Sequence, residues 1–89
     1  MGYLLQAMGD LAAARPYYER ALTVSERVLG PEHPDTAISY GNLGSLVAAV
    51  GDTAEGRALL EKALRIFTAR LGLNHPYTQE ALRRLNDLS

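Results

Sequence analysis

Eighty-nine residues, 47% of them hydrophobic and 21% charged, make one small soluble domain or a piece of a larger one, with a thin stability margin. A net charge of -1 without a charged tail excludes the basic footprint of a nucleic-acid binder, and the absence of cysteine excludes disulfide and thiolate chemistry. No apolar run approaches the roughly 18 residues of a membrane span, and Met1-Gly2-Tyr3-Leu4-Leu5-Gln6 lacks the positive stretch that opens a signal peptide, so the chain reads as cytoplasmic.

Sliding the chain by 42 residues superposes it on itself: 17 of the 47 overlapping positions are identical, against roughly three by chance. Gly9-Asp10 falls on Gly51-Asp52, Glu19-Arg20-Ala21-Leu22 on Glu61-Lys62-Ala63-Leu64, and Gly30-x-x-His33-Pro34-x-Thr36 on Gly72-x-x-His75-Pro76-x-Thr78. These two punctuation marks predict five helices, at about residues 2–8, 11–29, 34–50, 53–71 and 76–88, with no strand.

The first helix has an apolar side in Tyr3, Leu4, Leu5 and Met8 but no capped entry, and it is too short to hold without packing. An array continuing upstream is therefore expected; if the chain is complete, this face is an uncovered edge and a homodimer is expected. Gly9-Asp10 reads as the turn into the second helix, glycine ending one helix and aspartate capping the next. Pro16 lies beyond the first turn of that second helix and removes the N–H that would bond the Ala12 carbonyl, so a bend is expected there. Tyr18, Ala21, Leu22, Val28 and Leu29 form its packing face, with Tyr17 partly exposed.

The third helix is apolar nearly all round, with Gly41, Gly44 and Ser45 allowing close approach, and belongs between the second, fourth and fifth. The fourth carries Leu60, Ala63, Leu64, Phe67 and Leu71 inward and Arg57–Glu61 and Glu61–Arg65 pairs outward. The fifth has Ala81, Leu82, Leu85 and Leu88 on one side and Gln79, Glu80, Arg83, Arg84 and Asp87 mostly on the other, as a terminal element of an array requires. Asp35 and Thr36 read as capping and first-turn residues.

Catalytic and metal signals are missing from this pattern. His33 and His75 sit one repeat apart and read as loop histidines that satisfy backbone groups, not as a metal pair. Gly41-x-x-Gly44 lies inside a helix and is no phosphate loop, and the serines lack a partner histidine at matching spacing. No enzyme activity, cofactor or metal is expected.

The run Asn42-Leu43-Gly44-x-Leu46…Gly51-Asp52…Ala63-Leu64…Leu71-Gly72-x-x-His75-Pro76-x-Thr78 resembles the tetratricopeptide repeat, in its 42-residue form known from kinesin light chains and many bacterial signalling proteins. The resemblance covers essentially the whole chain and departs from the family at Gly56, where alanine is usual, and at Arg84, where the second unit has Asn42. It implies an all-α, right-handed solenoid of antiparallel helix pairs, about 2.5 units in a single domain: a partial first repeat over 1–33, a second over 34–75 and a capping helix over 76–89. It also implies a scaffold that binds a peptide or protein on its concave face. Carried over position by position, the groove comprises Tyr3 and Gln6, then Ile38, Gly41, Ser45 and Ala48, then Glu80, Arg83 and Asp87. Gly41 and Ser45 stand where some members grip a carboxylate with lysine and asparagine, which leaves Arg83 as the groove cation. Two alternatives are a structural C-terminal segment of a larger bacterial sensor or NTPase, and a homo-oligomerisation module working through the N-terminal face.

Overall fold

A computed structural model describes the backbone of residues 2–88 and the side chains of residues 11–88. The described residues form four helices: α1 (Gly2–Leu29), α2 (Pro34–Ala49), α3 (Thr53–Leu71) and α4 (Pro76–Asp87). The expected all-helical class holds. The expected count of five does not: α1 runs unbroken through Gly9-Asp10, and, as one helix, past Pro16 where a bend was expected. A mid-helix glycine costs about 1 kcal/mol relative to alanine, whereas a turn gives up several backbone hydrogen bonds and must recover them by packing the short arm.

The other loops follow the sequence. Gly51 and Gly72 take φ of +114° and +89°, a backbone region that suits glycine, and so does Gly30 at +96°. Asp52 caps α3 by accepting from the Glu55 N–H at 3.1 Å. At the starts of α2 and α4 the cap is the histidine: His33 Nδ1 accepts from Asp35 N at 3.0 Å, and His75 Nδ1 from Tyr77 N at 3.1 Å. Pro34 and Pro76 fill the first helical position, where no N–H is needed. Asp35 therefore sits in the first turn without capping it. Thr36 and Thr78 do something else again: both are fully buried and donate their hydroxyls to the carbonyls of Gly30 and Gly72, at 2.7 and 2.8 Å.

Helices adjacent in sequence pack together. The α2–α3 pair is antiparallel, as its contacts show: Gly41 faces Ala63, Gly44 faces Gly56 and Leu60, and Ala48 faces Gly56. The approach is close because both sides lack a side chain. A Cβ on Gly56 would lie 2.6 Å from the Gly44 carbonyl oxygen, and a Cβ on Gly44 would lie 2.9 Å from that of Gly56. The core is Ala37, Tyr40, Leu43, Leu46 and Val47 of α2 against Leu60, Ala63, Ile66 and Phe67 of α3, closed by Ala81 of α4. Tyr40 is buried, donates to Glu26 of α1 at 2.6 Å, and has Lys62 over its ring.

Two expectations about α1 and α3 change. The α1 packing face is largely open: Tyr18, Val28 and Leu29 are exposed and Leu22 is half-buried. The α3 arginines reach beyond their own helix. Arg57 donates to the Leu88 carbonyl at 3.0 Å, and Arg65 forks onto Glu32 at 3.1 and 3.3 Å. Across the molecule, Arg15 of α1 bridges Glu19 and Glu55 of α3.

Candidate functional site

Three adjoining clefts open along α2, and Arg84 lines all of them. Arg84 is a third exposed; its Nε donates to Glu80 at 3.0 Å and its Nη1 to Ser45 Oγ at 3.1 Å. Those bonds hold the guanidinium between α2 and α4 and leave donors of its fork to spare.

The first cleft, about 250 Å³, lies between α2, α3 and α4. Ile38, Leu60, Phe67 and Ala81 give it an apolar floor, and Asn42, Tyr77, Glu80 and Arg84 line it with polar atoms. Tyr77 stands over this floor by packing on Phe67, with ring centroids 5.7 Å apart, and on His75 at 4.9 Å. The histidine that caps α4 thus also steadies one wall of the cleft. The second cleft, about 390 Å³, lies where α1 meets α2 and is walled by Leu11, Tyr18, Asn42, Ser45, Leu46 and Ala49. The third, about 270 Å³, runs between α2 and the end of α4, past Ala48, Asp87 and Leu88.

The structure brings six of the nine sequence-derived groove residues together. Ile38, Gly41 and Glu80 line the first cleft, Ser45 the second and third, and Ala48 and Asp87 the third. Arg83 stands apart: its side chain is 71% exposed and pairs with Glu80, outside all three clefts. The side chains of Tyr3 and Gln6 lie outside the described residues. The sequence-derived groove does not include Arg84, which lines all three clefts, or Tyr77, which lines the first. A signal for Arg84 existed, since the 42-residue offset places it on Asn42, which lines the same cleft. Nothing comparable marks Tyr77, because its counterpart is Asp35.

Among the described residues no helix is long and apolar enough to cross a membrane. A family model described as "Tetratricopeptide repeat" matches residues 1–67. Over 43 residues, 48% of the chain, the sequence is 44% identical to a clustered mitochondria protein of Arabidopsis thaliana, and the match spans 3% of that relative's length.

Proposed function

The chain belongs to the tetratricopeptide-repeat family, and from that premise we propose that it is a protein-interaction scaffold whose first cleft receives a side chain of a bound peptide. Repeats of this family generally mediate contacts between proteins, a role that asks of the helices a shaped surface. The observation that carries the reading is the pairing of an apolar floor with convergent polar groups. A pocket of this kind anchors one apolar side chain by burial, while Asn42, Glu80 and Arg84 orient the backbone around it. The first helix of each pair then faces the ligand, in the right-handed stack the family implies. Arg84 takes the role that the sequence pattern gives to Arg83.

The test is selection of peptides from a displayed random library on the purified chain, followed by titration against variants. Selected peptides are expected to lose at least tenfold in affinity with Ile38→Lys, which puts a charge on the floor, and several-fold with Arg84→Ala. Peptides that bind all three proteins equally would show that binding lies elsewhere.

A further inference from the structure

The second cleft has a counterpart in the same molecule that α2 occupies in part, leaving the third cleft beside it. Adding 42 to the positions of its walls Leu11, Tyr18, Asn42, Ser45 and Leu46 gives Thr53, Leu60, Arg84, Asp87 and Leu88. Between those residues of α3 and α4 runs the second half of α2: Gly44 packs on Leu60 and Gly56, and Ala48 on Gly56. Burial follows: Leu60 is 1% exposed, while its counterpart Tyr18 is 40% exposed. Ala14, the counterpart of the buried Gly56, is half-buried. The stretch that covers α3, residues 44–49 of α2 with its C-cap Val50, corresponds to residues 2–8. The likeness extends to composition, with Gly2, Leu4, Leu5, Ala7 and Met8 against Gly44, Leu46, Val47, Ala49 and Val50. Yet residues 2–8 continue the α1 helix in line with residues 11–29, so they point away from the cleft their own chain offers.

We propose that two copies of this chain exchange these segments: residues 2–8 of one copy fill the cleft between α1 and α2 of the other, and the exchange is reciprocal. The two α1 helices then lie antiparallel and cross near Gly9-Asp10, which stays helical as the hinge of the exchange. Such an interface is isologous: each copy gives and receives the same element, and the contacts are those the repeat already uses within one chain. It covers Leu11 and Tyr18, both exposed in the single chain. The first cleft keeps its apolar floor open but shares Asn42 and Arg84 with the second, so the exchanged segment and a bound peptide meet at those two residues.

The absence of cysteine allows a direct test. Ala48 Cβ would lie 2.7 Å from a Cβ on Gly56, and the corresponding positions are Gln6 and Ala14. In the Gln6→Cys/Ala14→Cys variant, oxidation is expected to give a species of twice the 9.7 kDa chain mass on a non-reducing gel. Mass spectrometry is expected to map two 6–14 links between the copies. A 6–14 link within one chain would overturn the exchange in favour of a fold-back. Absence of that link, or links joining only like positions, would overturn it as well. Light scattering on the unaltered chain reads the same claim without mutation: a dimer at micromolar concentration is expected, and a monomer at every concentration overturns it.

Discussion

Thr36 and Thr78 are the smallest parts of the molecule with the most defined task. Each is sealed from solvent and ties the first turn of a helix to the glycine that ended the previous one. Thr78→Val keeps the shape but leaves the Gly72 carbonyl with only the longer bond from the His75 N–H at 3.3 Å, and is expected to lower stability by about 1 kcal/mol in a denaturant titration. Tyr40 gives a second residue-level prediction. Its burial, then its bond to Glu26, raises the phenol from 10.0 to about 12. The unfolded chain thus releases this proton near pH 10 while the folded chain holds it to about 12, so this contribution is full below pH 10 and is lost as pH rises to 12. Tyr40→Phe is expected to show a shallower fall in melting temperature between pH 10 and 12 than the parent. Equal slopes would remove Tyr40 from the account. The histidine role was legible from His-Pro at a helix start. The threonine latch was not, because an exposed first-turn threonine and a buried one are spelled alike and differ only in how the loop closes.

At the scale of elements, the α2–α3 contact depends on two glycines and an alanine. Gly56→Val places a branched side chain against the Gly44 carbonyl, where the obstacle is backbone and cannot swing aside. A loss of about 1–3 kcal/mol is expected in chemical denaturation. Ala63→Phe, at a position with no exposure and Gly41 opposite, is expected to cost about as much. A variant that melts like the parent would mean the two helices can part freely. The helix starts after residues 33, 52 and 75 could be read because each carries its own capping chemistry. Gly9-Asp10 misled for the opposite reason: the dipeptide matches Gly51-Asp52, but a glycine only permits a turn. Whether the chain takes it depends on what the arm packs against, and that is not written in two residues. The α3 arginines misled similarly, since i,i+4 spacing says which charges can meet on one helix but not that Glu32 and the Leu88 carbonyl stand closer.

Across the whole molecule, stability is uneven. α2 is covered by α1 on one side and α3 on the other, whereas among the described residues α1 rests mainly on α2 and leaves Val24 and Val28 more than half exposed. In hydrogen exchange, the amides of residues 21–29 are expected to exchange faster than those of 43–47 and 60–67, the opening of α1 requiring less than global unfolding. Equal protection throughout would mean a single cooperative block. The clefts were readable only in outline. Repeat arithmetic found the strip of α2 and α4 that borders the clefts, because every unit presents the same positions. It chose Arg83 over its neighbour because a difference of one residue, 100° around a helix, depends on how α4 is rolled against α2. That roll is set by packing of Ala81 and Phe67, which no single helix reveals.

The latch at Gly30 and its copy at Gly72 carry a consequence for how such proteins change length. Each hydroxyl clamps the same peptide at the same place, so the joint between one helix and the next is tied by residues that lie within a single 42-residue period. A gene that duplicates or deletes a block of 42 codons therefore carries this joint along with the sequence.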